Sequence, residues 1–382
     1  MIGRLKFNIT PLVIEILDHL PEHLWRSKET TFCDPAMGGG QFVAVIEQRL
    51  RAYGHSDKNI AKRVFGFETN QMRLNYAINK HKLVGTYRAA NFLEIDLAIK
   101  FDAAVSNPPF QDAVAQSSKK AWPDFVERSF DLLKDQGIML MISPASWMAG
   151  NSKIYKIVQE NKCFYLNTEI NHYFKGIGST FSAYGVQKGG LASPVVSQSG
   201  TSIDFAKSDM LPRTLTNDTI SIINKMTNKT NKITVLIDSF HHSQRKERVS
   251  AKKSSKFKYA NKHGSSSFLW SLGPHPLQSE NKIMMYMSGR PKPFFDKGEF
   301  GQSQHQCSIL CKEAEAGNLI SILTSKLFRF YFHETTYAQA WNKVALKKIN
   351  DIDTSKSWTD TDLYMQFGLT QEEIEYIENA FK

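Results

Sequence analysis

The sequence predicts an α/β protein built on a doubly wound sheet, followed by a second region of less regular structure. Short apolar runs alternate with helical patterns through the first half of the chain. A glycine-rich turn stands where the first strand is predicted to end and a helix to begin. The chain has 382 residues with 41% hydrophobic content, which is enough for two separate cores. We therefore expect two domains.

The predicted elements of the first domain follow one another along the chain. Leu12, Val13, Ile16 and Leu17 recur at helical spacing directly after Thr10-Pro11, a plausible helix start. A first strand is expected to end at Cys33. Further strands are predicted at 63–67, 90–93, 101–106, 137–143, 163–170 and 181–187, with helices from 41, from 71, at 124–134 and at 153–161.

A stretch rich in glycine, serine and proline, residues 188–202, is typical of a linker. We place the boundary there, with a first domain at 1–190 and a second at 201–382. The second region closes on Thr370 and Glu373 at capping-box spacing, which predicts a terminal helix.

The net charge of +11 is concentrated in the second region. Residues 225–262 hold eleven lysines and arginines against two acids, a local balance of +9. A polyanionic partner explains this concentration, and a solvated basic loop is the alternative. The four scattered cysteines favour neither a disulfide framework nor a metal site. The sequence has no apolar run of 18 residues and no signal peptide, so we expect a cytoplasmic protein that does not enter a membrane. We also expect a monomer.

The glycine-rich turn has the sequence Asp-Pro-Ala-Met-Gly-Gly-Gly-Gln-Phe, residues 34–42. Three consecutive glycines let the backbone pass close to a ligand, and Asp34 before them can pair with a cationic ligand group. The spacing is neither that of dinucleotide-binding loops nor that of a P-loop. Glu68, at the end of the next predicted strand, can accept both hydroxyls of a ribose. The alternative for residues 34–42 is a glycine-rich turn that binds no ligand. The alternative for Glu68 is an exposed acid at the start of a helix.

The segment Asn107-Pro108-Pro109-Phe110, at the exit of the fourth strand, is the strongest chemical signal. Two prolines fix the backbone direction and remove amide donors. The Asn107 side-chain oxygen and the Pro108 carbonyl can then accept both hydrogens of a planar amino group. Phe110 offers a face for base stacking, worth roughly 1–3 kcal/mol. Holding the amino hydrogens frees the nitrogen lone pair to attack an electrophilic methyl group.

In this order, the segments resemble the amino-group DNA methyltransferases, specifically the gamma class of adenine-N6 enzymes of restriction-modification systems. The resemblance covers most of residues 8–190. It implies a Rossmann-like S-adenosylmethionine-dependent methyltransferase sheet, S-adenosyl-L-methionine as cofactor, and a C-terminal mixed α+β target-recognition region. The catalytic segment it implies is Asn107, Pro108, Pro109 and Phe110. The cofactor-binding residues it implies are Thr10, Asp34, Pro35, Ala36, Gly38, Gly40, Phe42, Glu68, Asn91 and Phe92.

Three aromatic or polar positions bear on this resemblance. Asn91-Phe92 stands where the family usually has Asp-Phe, so the hydrogen bond to the cofactor adenine lacks a charge. The catalytic aromatic residue is Phe110 instead of the commoner tyrosine. Phe174 stands where the family carries an aromatic residue that packs against the flipped base. A loop phenylalanine that fills the core is the alternative for Phe174.

The resemblance implies methylation of an adenine that is flipped out of double-stranded DNA at a specific sequence. Backbone contacts are predicted at Lys252, Lys253, Lys256 and Lys258, and a cognate restriction endonuclease is a further expected partner. The rival functions are methylation of cytosine N4 in DNA, of guanine N2 in ribosomal RNA, or of a release-factor glutamine. A binding protein that has lost activity is a rival of another class. Cytosine C5 methylation is excluded because no cysteine follows a proline.

Overall fold

The computed structural model describes residues 10–110, 121–150, 152–237, 239–287, 291–337 and 343–381. The chain divides into two compact units, Met1–Met210 and Leu211–Lys382. No helix among the described residues is long and apolar enough to cross a membrane.

A seven-stranded sheet forms the centre of the first unit. Its strands are β1 (Phe32–Asp34), β2 (Val64–Glu68), β3 (Thr86–Ala89), β4 (Phe101–Ser106), β5 (Leu133–Pro144), β6 (Lys162–Asn167) and β7 (Phe181–Gln187). They lie in the order β3-β2-β1-β4-β5-β7-β6. β7 runs antiparallel to β5 and β6, and the other neighbours are parallel. The doubly wound, Rossmann-like fold predicted from the sequence is confirmed.

Two helices precede β1 in the chain, and others follow β1, β2, β4 and β5. They are α1 (Thr10–Asp18), α2 (Glu22–Arg26), α3 (Gln41–Ala52), α4 (Asp57–Ile60), α5 (Gln71–His81), α6 (Trp122–Asp131) and α7 (Lys153–Glu160). α3 shows why they pack: it buries Phe42, Val43, Ile46 and Leu50 in the core. Each such side chain contributes about 1.5–3 kcal/mol on burial, so the apolar stripe fixes the helix against the sheet.

The strand predictions at 101–106 and 181–187 are confirmed residue for residue by β4 and β7. The prediction at 90–93 is wrong, because β3 ends at Ala89. Asn91 begins a turn there: its side-chain oxygen accepts a hydrogen bond from the Leu93 amide at 3.1 Å. Asparagine favours such local bonds over a strand ladder.

A short hairpin follows the main sheet and consists of β8 (Val195–Val196) and β9 (Ser202–Ile203). The Gln198 amide donates to the Leu166 carbonyl of β6 at 3.0 Å, and the Tyr155 hydroxyl donates to the Ser208 carbonyl at 2.6 Å. These bonds attach Gln198 of the predicted linker, and Ser208 beyond it, to the main sheet and its helices, and the first unit extends to Met210.

The second unit has a mixed α+β architecture, with helices and two sheets. All neighbouring strands in these sheets are antiparallel except one parallel pair. Its helices are α8 (Asn217–Thr227), α9 (Ala316–Thr324), α10 (Lys326–Glu334), α11 (Lys343–Leu346), α12 (Asp360–Gln366) and α13 (Gln371–Ala380). Its strands are β10 (Val249–Ser250), β11 (Tyr259–Lys262), β12 (Phe268–Ser271), β13 (Asn281–Tyr286), β14 (Phe294–Lys297), β15 (Gly301–Gln302) and β16 (Gln306–Leu310). The sheet orders are β10-β12-β11-β15 and β14-β13-β16. The predicted capping box of Thr370 and Glu373 is confirmed at the start of α13.

Candidate active site

Three polar residues meet at one edge of the first unit's sheet. Asp34 is the last residue of β1, Glu68 is the last residue of β2, and Asn107 directly follows β4. β1 pairs in parallel with both β2 and β4, so the carboxyl ends of these strands lie side by side. The chain reverses its direction of winding at β1, and such a switch point is where sheets of this kind bind ligands.

Asp34 is a buried carboxyl with 1% exposure. Its Oδ1 accepts hydrogen bonds from the Ser106 hydroxyl at 2.8 Å and from the Ala36 amide at 3.1 Å. Burial raises the pKa of Asp34 to about 7, because the charged form loses its water; the two hydrogen bonds oppose this effect, and the nearby Glu68 charge adds to it. The carboxyl therefore changes charge near neutral pH.

The turn after Asp34 leaves room for a ligand. Gly38 and Gly40 have φ angles of +54° and +81°, which favour glycine. Among the described residues, a Cβ placed on Gly38 would have only the Ala36 carbonyl oxygen within 4 Å, at 3.8 Å, so the described part of the chain leaves the space beside the turn open. A Cβ on Gly40 would approach the Ala77 side chain to 3.1 Å. Gly40 thus permits close packing of the turn, and Gly38 borders open space.

Glu68 is held by the helix that follows it. One carboxylate oxygen accepts from the Asn70 amide at 2.9 Å, and the other pairs with the Arg73 guanidinium at 3.2 Å. The side chain is 9% exposed. Its position is therefore set before any ligand arrives, which lowers the entropy cost of binding.

The other predicted cofactor residues lie in different surroundings. Thr10 begins α1, and Pro35 and Ala36 form the start of the turn. Phe42 belongs to α3, and its side chain is buried in the core. Phe92 is 2% exposed, packs on Phe67 and Phe125, and has the Arg128 guanidinium 5.6 Å from its ring centre. The ring of Phe92 therefore has a structural role in this arrangement, as does that of Phe42.

Asn107 carries an unusual acceptor. Its side-chain Oδ1 is buried and has no hydrogen-bond partner among the described residues. An unsatisfied buried acceptor costs about 1–3 kcal/mol, and nearly all such groups in folded proteins are paired. Pro108 after it is buried and Pro109 is exposed. The arrangement preserves an acceptor that a bound donor can satisfy.

Three aromatic rings pack together next to this segment. Phe110 is partly exposed; its ring centre lies 4.8 Å from that of Phe181 and 6.2 Å from that of Phe174, with a nearly perpendicular approach to the latter. Phe174 stacks on Phe181 at 4.4 Å and is only 3% exposed. The structure thus brings Phe110 and Phe174 together, and Phe174 is packed in the core.

Two residues of this site were missed by the sequence analysis. Ser106 joins the two motifs, because it precedes Asn107 in the chain and donates to Asp34. Phe181 links the rings of Phe110 and Phe174. The sequence marks Ser106 as the last residue of the predicted strand 101–106, but its contact with Asp34 depends on the pairing of β1 with β4. The contact of Phe181 depends on side-chain packing.

The four predicted DNA-contact residues, Lys252, Lys253, Lys256 and Lys258, lie between β10 and β11 in the second unit. All four are exposed. No carboxylate in the described part of the chain lies within ion-pairing distance of them. Their charge is therefore not neutralised within this unit.

Residues 43–174 match the family described as Eco57I restriction-modification methylase. The resemblance to restriction-modification methylases that the motifs indicate is confirmed over this stretch. It contains Glu68, Asn107 and Phe174 and excludes the turn at 34–40. S-adenosylmethionine, the cofactor of such methylases, is confirmed with it, and the site suits this molecule. Asp34 can pair with the cationic amino group of the cofactor, and Glu68 can accept hydrogen bonds from its ribose hydroxyls. The open space beside Gly38 has room for the part of the cofactor that joins these two groups.

The chain is also similar to solved structures. The modification subunit of the type I restriction enzyme EcoKI matches 50% of this chain with 17% identity and a TM-score of 0.41. A putative type I modification subunit from Vibrio vulnificus matches 51% with 12% identity and a TM-score of 0.40. The chain spans 48% of the length of either protein. The type IIL enzyme MmeI, solved with DNA, matches 91% of this chain and 63% of its own, with 10% identity and a TM-score of 0.47. No curated protein matches the sequence.

Proposed function

We propose that the protein is a DNA methyltransferase that transfers a methyl group from S-adenosylmethionine to N6 of an adenine flipped out of a specific duplex sequence. The observation that carries this proposal is the buried Oδ1 of Asn107, which has no hydrogen-bond partner among the described residues and lies at the same sheet edge as Asp34 and Glu68. An acceptor in this position fits a ligand that donates a hydrogen bond, and an exocyclic amino group is such a ligand.

The residues of the site perform one task each. Asn107 Oδ1 and the Pro108 carbonyl accept the two amino hydrogens, which localises the nitrogen lone pair. As the nitrogen–methyl bond forms, the carbon–sulfur bond of the sulfonium donor breaks and the sulfur leaves as a neutral thioether. Positive charge then develops on the nitrogen and is stabilised by the fixed acceptor. Loss of one amino proton to solvent restores a neutral amine. S-adenosylmethionine supplies the electrophilic methyl group. Asp34 and Glu68 would hold the cofactor at the sheet edge beside Asn107, which brings donor and acceptor together.

The target base needs a stacking surface once it has left the duplex. Phe110 supplies it, because its ring is partly exposed beside Asn107. Phe174 contributes a second surface only after a shift of the turn Ile170–Phe174 that exposes its ring. We assign the first unit to catalysis and the second to target recognition. A cognate restriction endonuclease completes the proposed system.

The proposal is tested by transfer of a tritiated methyl group. Duplex DNA, RNA and protein are offered to the full-length chain, and the labelled product is digested to nucleosides or amino acids. N6-methyladenine from duplex DNA is the expected product. If N4-methylcytosine is the product, the target base is cytosine instead of adenine and the proposed mechanism still holds. Label confined to RNA or protein would refute the proposal.

A further inference from the structure

One side of the four-stranded sheet in the second unit carries aromatic rings beside lysines. Asn261 and Leu269 are buried on the opposite side of this sheet. Lys262 of β11 pairs directly with Phe268 of β12, and Trp270 lies two residues further along β12. Directly opposed residues, and residues two apart, project from the same side of a sheet. Lys262, Phe268 and Trp270 therefore share the partly exposed side.

The rings on this side form a continuous group with the lysines. The ring centre of Phe268 lies 5.9 Å from that of Trp270 and 5.5 Å from that of Phe300. The Lys262 ammonium is 4.4 Å from the Phe268 ring centre and 4.5 Å from that of Phe300. The Lys253 ammonium is 5.0 Å from the Trp270 ring centre. We call Lys253, Lys262, Phe268, Trp270 and Phe300 the aromatic face; each of them is partly or fully exposed.

The positive charge of the aromatic face is not compensated within the described residues. Lys253 and Lys262 have no carboxylate at ion-pairing distance there, and the same is true of Lys252, Lys256 and Lys258. Some other lysines of the second unit are paired: Lys225 with Glu373, Lys297 with Glu313, and Lys326 with Glu378. The aromatic face and the adjoining loop thus carry a cluster of five lysines without a carboxylate partner among the described residues. Such a surface complements a polyanion.

The rings distinguish between kinds of polyanion. A duplex encloses the faces of its bases, so its backbone can be bound by lysines alone. Unpaired nucleotides expose their base faces, and surfaces that bind them combine basic side chains with aromatic rings. We propose that the aromatic face binds unpaired nucleotides of a DNA strand, with bases stacked on Trp270 and Phe268. This goes beyond methyl transfer to a duplex, although it rests on the proposed function for DNA as the partner.

The lysines over the rings fit this proposal. A lysine on an exposed ring interacts more weakly than a stacked base does. A base therefore displaces the ammonium of Lys253 from Trp270, and the freed ammonium neutralises the phosphate of the same nucleotide. Each lysine of the aromatic face therefore contacts an aromatic ring in the free protein and a backbone phosphate in the complex.

The test compares single-stranded and duplex oligonucleotides of equal charge, bound to the full-length chain and followed by fluorescence anisotropy. Trp270→Leu is expected to weaken binding of the single strand roughly five- to 150-fold, the range of one lost stacking interaction. Duplex affinity should change less than about twofold. Trp270→Phe, which keeps a ring, should retain most of the affinity. Phe268→Leu supplies an independent variant if Trp270→Leu does not fold.

Trp358 provides a matched control. It is also a partly exposed tryptophan, with the Lys356 ammonium 4.1 Å from its ring centre, but it is outside the aromatic face. Trp358→Leu should leave both affinities unchanged. The inference is overturned if Trp270→Leu leaves single-strand binding intact, or if it weakens duplex binding equally. Methyl transfer to duplex DNA is measured on the same variants: its absence from the unaltered chain contradicts the proposed function, whereas a failed stacking test leaves that function standing.

Discussion

At the scale of single residues, Asp34 combines a binding role with a protonation state that changes near neutral pH. Its carboxyl is buried, and its pKa is raised to about 7. The proposed salt bridge to the cofactor amino group requires the ionised form. Because the pKa is raised, the neutral form predominates below pH 7 and the carboxylate above it. Cofactor affinity should therefore increase as the pH rises through this range.

We expect the cofactor dissociation constant to be about tenfold higher near pH 6 than near pH 8, as a single group with this pKa requires. Asp34→Asn should remove this dependence and weaken binding by about ten- to 100-fold, the value of a hydrogen bond to a charged group. Ser106→Ala should move the midpoint to higher pH, because the Ser106 hydrogen bond lowers the pKa of Asp34. Calorimetry across a pH series measures all three. An affinity that is independent of pH in the unaltered chain would remove Asp34 from the cofactor site.

Asn107 is predicted to act on the target amine and not on the cofactor. Asn107→Ala removes the buried acceptor, so the methyl-transfer rate should fall by roughly 100-fold or more. The cofactor dissociation constant should remain within about twofold, and folding should be unaffected because no described residue depends on that oxygen for a hydrogen bond. Single-turnover kinetics and calorimetry separate the two effects. A comparable loss of cofactor affinity would show that Asn107 lies in the cofactor site.

At the scale of elements, the turn between β1 and α3 owes its shape to glycine. Gly38→Val introduces a branched side chain at a positive φ angle and fills the open space beside the turn. The cofactor dissociation constant should rise by tenfold or more, with little change in DNA affinity. Gly54→Val is the matched control, because Gly54 also has a positive φ angle, of +84°, and lies away from the site.

Both valine variants should lose stability, by about 1–2 kcal/mol from the backbone conformation alone. Only Gly38→Val should then affect cofactor binding. Urea unfolding gives the stability of each variant, and calorimetry gives its cofactor affinity. Equal cofactor affinities in the two variants would mean that the turn serves the fold and binds no ligand.

The elements also show which local signals determine structure. β4 and β7 were predicted with their bounds, because both are apolar runs that end in polar or turn residues. β3 was misplaced because none of its four residues is buried and two of them, Thr86 and Arg88, are polar, so it has no apolar pattern. Its position is determined by the ladder it forms with β2, from Phe65 to Glu68. Such pairing between distant segments cannot be read from either segment alone.

At the scale of the whole molecule, the excess positive charge predicts how DNA binding responds to salt. If Lys252, Lys253, Lys256 and Lys258 each neutralise a phosphate, replacing all four with glutamine should weaken binding to every duplex alike. The slope of log affinity against log salt should decrease by roughly three to four, at about 0.9 per phosphate. Discrimination between cognate and unrelated DNA should stay nearly constant.

The measurement is a salt series on the unaltered chain and the fourfold variant with both duplexes. Lys297 and Lys312, which are paired with Glu313 and Glu315, provide a control set. Their replacement with glutamine should leave the slope unchanged, because their charges are already compensated. An unchanged slope in the fourfold variant would mean that its lysines belong to a solvated loop.

Local sequence patterns were sufficient to predict the alternation of strands and helices, the position of the glycine turn, and the placement of Asp34, Glu68 and Asn107 at strand ends. These follow from apolar periodicity and from the rule that parallel strands end at one edge. Three other features became visible in the folded chain alone: Ser106 binds Asp34, Phe174 is buried, and Asn107 Oδ1 has no partner in the described chain. Each of these depends on side chains that are far apart in sequence, whose burial and distance arise from the packing of the whole unit.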